Sequence, residues 1–171
     1  PNGFSVSTDI APGTVLGAGG QTTFTVRLDA ALQGDYNGVL SFVNNDSDEN
    51  PFNFTISGGV DPPPEPEIEV RDGSTDLVDG TAEVSFGRTI VGVPVSKTFT
   101  VKNLGTAALT LQPLTVPNGF SASTDIAPDT VVAAGGQTTF TVRLDAALQG
   151  NYIGVLSFAN DDSDESPFNF T

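Results

Sequence analysis

The sequence predicts an all-β protein made of immunoglobulin-like β-sandwich modules in a tandem array. Apolar and polar residues alternate along most of the 171 residues, as expected of strands with one buried face. Clusters of Gly, Pro, Asn and Asp separate these runs about every 8–12 residues, a spacing typical of sandwiches. The chain also contains a long internal repeat, and a repeat of domain size indicates tandem modules.

The repeat defines the predicted domain organisation. Residues 1–55 and 117–171 differ at nine of 55 positions. Between the copies lies the sequence DPPPEPE, whose four prolines fix the backbone and withhold amide donors, so that it predicts a stiff linker. We therefore predict that 1–60 is the C-terminal part of one module, 61–66 a proline-rich linker, and 67–171 a second, nearly complete module.

The second module contains the predicted strands in order. Alternation directs one set of apolar side chains inward and the intervening polar side chains outward. The predicted strands are EIEVR, AEVSF, KTFTVKN, ALTLQPL, TTFTVRLD, NYIGVLSFAN and PFNFT, with Ile68, Val70, Val84, Phe86, Phe99, Val101, Phe140, Val142 and Leu144 facing inward. The only helical structure that the pattern allows is a single turn over residues 146–150.

A tyrosine near the last hairpin supports the sandwich. Tyr36 and Tyr152 each follow a Gly turn and precede a predicted strand, one in each copy. This position is similar to the tyrosine corner of immunoglobulin-like folds, in which the hydroxyl anchors the preceding loop. Gly38 and Gly154 stand two residues later, where antibody domains have a cysteine, so the core is predicted to depend on Phe, Leu and Val packing alone.

The repeat also predicts that the chain contains two later halves of a module but only one earlier half. The segments 1–60 and 117–171 are both later halves of a module, whereas 67–116 is the single earlier half. The direct connection and its low loop-closure cost favour the pairing of 67–116 with 117–171. Strands that cover 1–60 then come from an upstream part of a longer array, or from another copy by strand exchange.

The composition excludes several classes of function. The chain has no His and no Cys, which removes His-dependent catalytic triads and ordinary zinc, haem or iron–sulfur sites. Its net charge of −15 opposes binding to nucleic acid and to anionic membranes, and no apolar run is long enough to cross a bilayer. We predict that the protein is not an enzyme, does not bind nucleic acid and does not insert this segment into a membrane.

Several motifs together resemble a known family. The order EIEVRDG, VDGTAEVSFGRTIVG, KTFTVKNLGTAALTL, PNGFS, GGQTTFTVRLD, GNYIGVLSF and NDDSDESPF is similar to the choice-of-anchor D repeat, which is distantly Hydin-like. The resemblance covers residues 65–171 as one near-complete module and 1–60 as a partial one. It implies a bacterial protein located outside the cell or at its surface.

An acidic hairpin tip is the sharpest local signal. Oxygen-bearing residues stand at i, i+2 and i+4 in each copy, a spacing at which side chains converge on a hard cation such as Ca²⁺. The candidate ligands are Asp46, Asp48 and Asn50 in the first copy and Asp162, Asp164 and Ser166 in the second, with Asp61, Glu65 and Glu67 of the linker as extra oxygens. Calcium is the one cofactor that this predicts. The alternative is a solvated acidic turn with Asx-type hydrogen bonds.

A second acidic loop, RDGSTDLVDG, also offers carboxylates. Asp72, Asp76 and Asp79 are close enough in sequence to gather around a cation. The alternative is an ordinary hairpin, since Asp-Gly pairs are common hairpin signals.

The predicted function is structural. Near-identical copies suit a stalk or filament-forming scaffold, because length is gained by duplication and each module contacts its neighbours. The predicted partners are neighbouring modules of the same array and, through homo-assembly into filaments, other copies of the chain. The alternative is an adhesin-type module whose loops bind a glycan or a protein ligand.

Overall fold

The computed structural model describes all residues from Pro1 to Thr171 and contains strands and loops but no helix. The chain divides into two compact units, Pro1–Pro63 and Pro64–Thr171, so that the boundary lies within the run of prolines. The first unit contains β1 (Phe4–Thr8), β2 (Thr25–Leu28), β3 (Gly34–Phe42) and β4 (Phe52–Val60). The second contains β5 (Ile68–Asp72), β6 (Thr75–Leu77), β7 (Val95–Asn103), β8 (Leu109–Leu111), β9 (Phe120–Thr124), β10 (Thr130–Val132), β11 (Gln137–Leu144), β12 (Leu156–Phe158) and β13 (Phe168–Phe170).

The second unit has two layers of strands, which is compatible with a β-sandwich. One layer is an antiparallel sheet in the order β6-β5-β7-β11-β9. The other contains the β10–β8 and β12–β13 pairs, and isolated bridges from Leu111 to Asn160 and from Thr115 to Ser157 connect these two pairs. The predicted all-β class is therefore confirmed, and strand pairing brings the two halves 67–116 and 117–171 into one unit.

Phenylalanines join the two layers of the second unit. Phe99 of β7 and Phe140 of β11 stack with ring centroids 5.0 Å apart, and Phe99 also lies 5.1 Å from Phe170 of β13. Phe140 contacts Phe158 of β12 at 5.7 Å, and Phe158 contacts Phe168 at the same distance. All five rings are buried, as are the inward residues predicted on β5, β7 and β11. Alternation thus identified the core correctly.

The predicted tyrosine anchor is confirmed in both copies. The Tyr152 hydroxyl donates a hydrogen bond to the Leu148 carbonyl at 3.0 Å, and the Tyr36 hydroxyl donates to Leu32 at 2.8 Å. Gly119 lies against the Tyr152 ring with φ of +88°, and a Cβ there would overlap Cδ1 of that ring. The PNGF motif therefore needs its glycine because the tyrosine occupies the space of a side chain.

The first unit exposes the faces that the second unit buries. Its two sheets, β1–β2 and β3–β4, have no partner equivalent to the strands β5 to β8. Phe168 is 1% exposed in the second unit, whereas its counterpart Phe52 is 39% exposed in the first. Since the two copies are almost identical in sequence, the difference comes from the covering strands and not from the residues themselves.

Three local predictions differ from the structure. Residues 82–86 and 151–155 were predicted as strand, but neither belongs to a ladder. In the first copy, residues 35–38, the counterpart of 151–154, pair with Ile56–Gly59, whose equivalents would follow Thr171. Residues 82–86 bond to the single residue Thr171, through Ala82 and Val84, and one residue is too short a neighbour for a ladder. Residues 146–150 form no helical turn, because Ala146 has φ of +51°, which a right-handed turn cannot continue.

A matched pair of substitutions tests this account of the core. We expect Phe168→Ala to destabilise the second unit by about 3–5 kcal/mol, because it leaves a cavity between the layers. Phe52→Ala, at the equivalent position, should reduce the free energy of unfolding far less, because that ring is already partly exposed to water. Urea unfolding would measure both effects, with amide hydrogen exchange followed in β7 and β11 for Phe168→Ala and in β3 for Phe52→Ala. Equal losses from the two variants would contradict the account.

Candidate metal centre

The β12–β13 hairpin tip is organised by one asparagine. The Asn160 side chain donates a hydrogen bond from Nδ2 to the Glu165 carbonyl at 2.9 Å and accepts one at Oδ1 from the Asp162 amide at 2.8 Å. The Ser166 hydroxyl donates to the Asn160 carbonyl at 2.7 Å. These bonds close the loop on itself and fix the direction of the carboxylates between them.

Docking of β5 onto this tip buries a carboxylate. Asp162 is only 2% exposed, and its Oδ2 accepts a hydrogen bond from the Ile68 amide, the first residue of β5, at 2.8 Å. The preceding residue, Glu67, is held through its own amide, which donates to Asn103 Oδ1 at 3.3 Å. The start of β5 thereby places one glutamate beside two hairpin aspartates.

Three carboxylates meet at this end of the second unit. Glu67, Asp162 and Asp164 each direct an oxygen into one group, and these oxygens all lie within 4.8 Å of one another. We call these three residues the junction cluster. Oxygens so close together are suitable ligands for a hard divalent cation. The hairpin bonds around Asn160 also form the Asx-type network of the alternative, so the loop geometry by itself fits both readings.

The junction cluster carries repelling charges. Burial raises the pKa of Glu67, and the neighbouring Asp162 and Asp164 raise it further. Burial also raises the pKa of Asp162, although the Ile68 amide partly offsets this effect. Glu165, next to the cluster, has its pKa raised by burial and then by the charge of Asp162, and its Oε2 is buried without a hydrogen-bond partner. Either protons or a cation would relieve this repulsion.

The first copy does not form an equivalent group. Asp46, the counterpart of Asp162, is exposed, and hydrogen bonding to Asp48 lowers its pKa. Asn50 Oδ1 accepts a bond from the Asn44 amide at 3.2 Å, so it serves the loop itself. No strand start supplies a glutamate beside the first tip.

The structure assembles the predicted ligands differently from the simple i, i+2, i+4 pattern. Asp162 and Asp164 come together, but Ser166 is not part of the cluster because its hydroxyl bonds within the loop. Of the linker carboxylates, Glu67 joins, whereas Asp61 and Glu65 are exposed and lie outside the group. Sequence reasoning missed Glu165, for which its position in the same acidic loop was the available signal.

The second acidic loop does not gather its carboxylates. Asp72 pairs with Lys97 at 2.5 Å, and Asp76 pairs with Arg71 at 2.6 Å. Asp79 Oδ1 accepts a hydrogen bond from the Asn169 amide at 2.7 Å. Each aspartate thus has a separate partner, and the suggested common site in this loop is wrong.

Comparisons with known proteins add little to this geometry. No protein-family model and no curated protein matches the chain. The chain is similar to a solved protein of unknown function from Porphyromonas gingivalis W83, at 12% identity and a TM-score of 0.44, over 99% of this chain and 78% of that one. The resemblance to the choice-of-anchor D repeat therefore stays a prediction. The structure contains no helix that could cross a membrane.

The repulsion in the hairpin tip gives a prediction about pH. A carboxyl whose pKa is raised by folding stabilises the fold when protonated, and this stability is lost as pH rises through the raised value. We expect Glu165→Gln to stabilise the second unit at neutral pH and to reduce the loss of stability between pH 4 and 7. Thermal unfolding of the variant and the unaltered chain across this pH range would measure both effects.

The matched control is Glu49→Gln, the exposed counterpart in the first copy. It changes net charge equally but removes no buried charge. If both variants shifted the midpoint by the same amount, general charge reduction rather than the hairpin tip would be responsible.

Proposed function

We propose that this chain is a structural, non-catalytic segment of a bacterial cell-surface or extracellular tandem-repeat protein, and that it acts as a stalk or scaffold. The observation that carries the proposal is the pair of near-identical segments, of which the second closes with residues 67–116 into one unit. Such a repeat suits an array in which every later half pairs with an earlier half of the same kind.

Three further features support immunoglobulin-like modules in an array. The tyrosine anchor is of the type found in such sandwiches. The proline-rich boundary suits a stiff spacer, because its residues have few conformations to lose. The large negative charge would keep parallel rods soluble and apart.

The proposed spacer role has a direct test in solution. The repeat period allows in-phase extension, because residue 171 corresponds to residue 55 and residues 56–171 can follow it. We expect the radius of gyration from small-angle scattering to grow almost linearly as one, two and three such segments are appended. A flexible chain of modules would give roughly square-root growth.

A linker variant is the control for this measurement. Replacing the four prolines between Asp61 and Glu67 by Ser should make the linker flexible, so that the radius of gyration grows more nearly as the square root of the number of segments. Compact particles, or no difference between the two series, would contradict a rod-like spacer.

We also propose that Ca²⁺ binds the junction cluster and stiffens the start of β5 against the hairpin. The support is the set of three convergent carboxylates and the repulsion among them. The second unit binds its first strand to the tip through Asp162 and Ile68, so a cation there would hold strand and tip together.

Calcium titration tests this part separately. Millimolar Ca²⁺ should raise the thermal midpoint, since binding only to the folded state stabilises by about 2.7 kcal/mol at a hundredfold excess over Kd. Asp162→Asn should remove the response, while its amide oxygen still accepts the Ile68 bond. Asp46→Asn, the exposed counterpart, should retain it. Absence of both a heat of binding and a midpoint shift would refute calcium binding.

A further inference from the structure

The last residues of the linker are hydrogen-bonded to a loop of the second unit. The Leu104 amide donates to the Glu67 carbonyl at 2.7 Å. The amides of Thr106 and Ala107 both donate to the Glu65 carbonyl, at 2.9 and 3.0 Å. This loop follows β7 directly, so the end of the linker lies beside the end of that strand. We call residues 65–67 the linker strap and residues 103–107 the receiving loop.

The amides of the linker strap bond to the same loop. The Glu65 amide donates to the Thr106 hydroxyl at 3.3 Å, and the Glu67 amide donates to Asn103 Oδ1 at 3.3 Å. Pro66, between them, has no amide to donate. Bonding residues that stand two apart belong to one edge of an extended chain, and a proline fits where the edge needs no donor. The alternation of proline and glutamate therefore suits docking on one side only.

Gly105 provides the space that the linker strap occupies. A Cβ at this position would overlap the Glu65 carbonyl oxygen and lie 2.6 Å from the Glu67 amide nitrogen. Its φ is not in the left-handed region, so the missing side chain provides space and not a special backbone conformation. The receiving loop is therefore shaped around the backbone of the strap.

Asn103 ties the receiving loop to the rest of the second unit. It is fully buried, and its Nδ2 donates to the Ala107 carbonyl at 2.7 Å and to the Val132 carbonyl of β10 at 2.9 Å. Its Oδ1 accepts from the Gly105 amide at 3.0 Å as well as from Glu67. Undocking of the strap would remove one of these four bonds and leave the loop held by the other three.

The linker strap itself buries little apolar surface. Its two glutamates are exposed and Pro66 is half-buried, whereas the next residue, Ile68, is buried. Docking also places Glu67 beside Asp162 and Asp164, so that like charges oppose it. A segment that is held by hydrogen bonds at the surface, with few apolar contacts, opens at a lower free energy than the core does.

We propose that the linker strap acts as a latch, which docks and undocks apart from the core and thereby sets the length of the hinge before the module. With the strap docked, the free part of the linker is 61–64, four residues of which three are prolines. With the strap undocked, all seven residues of 61–67 are free, and Glu67 leaves the junction cluster. The boundary of the second unit at Pro64 agrees with the docked state.

Amide hydrogen exchange on the whole chain tests this latch, in a chelating buffer so that no divalent cation takes part. The amides of Leu104, Thr106 and Ala107 report docking, because they donate to strap carbonyls. In the unaltered chain we expect them to exchange more slowly than free amides but faster than amides of the β7–β11 ladder, since the strap opens without the core.

Gly105→Ala should undock the linker strap, because its Cβ takes the place of the Glu65 carbonyl. We expect the three reporting amides to exchange about tenfold faster, while amides of the β7–β11 ladder change by less than about twofold. The control is Gly17→Ala, since a Cβ at Gly17 meets no other atom and its φ is likewise outside the left-handed region.

Asp164→Asn should have the opposite effect. It removes an exposed charge that faces Glu67, so the three reporting amides should exchange about threefold more slowly while the ladder amides stay unchanged. Asp48→Asn, at the counterpart in the first unit, is the control because Asp48 is not part of the junction cluster. A change in the stability of the whole unit would move the ladder amides as well.

Relaxation of the linker amides tests the length of the hinge. Four of the seven residues are prolines, so the available probes are the amides of Asp61, Glu65 and Glu67. We expect order parameters close to the value of about 0.85 of rigid backbone at Glu65 and Glu67, and below about 0.6 at Asp61. In Gly105→Ala, the order parameter of Glu65 should fall to that of Asp61.

Three results would overturn the proposal. They are reporting amides that exchange as fast as free amides in the unaltered chain, exchange that changes in step with the β7–β11 ladder in both variants, or an order parameter of Glu65 that Gly105→Ala leaves unchanged. The inference deepens the proposed spacer role and rests on it for its biological meaning. Scattering of extended chains tests that role, whereas exchange tests the linker strap in a single chain without calcium, so the failures are distinguishable.

Discussion

The stacking of phenylalanines between two layers of strands is the interaction on which the second unit depends. Phe99 on one layer contacts Phe140 and Phe170, and these contacts tie β7 and β11 to the last hairpin. No disulfide or His-dependent metal site supplements this packing, because the chain has no Cys and no His. Dispersion and burial therefore do what covalent links do in many extracellular domains of similar size. Where strands equivalent to β5 to β8 do not cover it, this packing exposes large apolar side chains, as in the first unit.

The junction cluster is a consequence of the same closure. The Asp162 carboxylate becomes buried only when β5 docks on the hairpin tip, because its partner is the Ile68 amide at the start of that strand. Glu67 arrives with β5 as well. The equivalent tip in the first unit has nearly the same sequence, yet Asp46 remains exposed and its pKa shifts in the opposite direction. The electrostatics of the tip thus depend on whether the two halves of a module have come together.

Much of the fold followed from local pattern, and the parts that did not are those that depend on distant partners. Alternation identified the buried faces of β5, β7 and β11, and the tyrosine position predicted the bond to Leu148. Local pattern could not predict that 82–86 and 151–155 lie outside the ladders, because an extended segment forms ladder hydrogen bonds only where a neighbouring strand is present. The same limit applies to the junction cluster. The spacing within the loop predicted Ser166 as a ligand, but its hydroxyl donates a hydrogen bond to the Asn160 carbonyl. The third carboxylate of the cluster belongs instead to Glu67, which lies just before β5.

The two copies together show that module sequence and module boundary are separate properties. A segment whose sequence is repeated almost unchanged is buried in one setting and exposed in the other, so its stability belongs to the pairing of halves rather than to the segment. Phe168 and Phe52 show this directly, because the same ring is buried where earlier strands cover it and partly exposed where they do not.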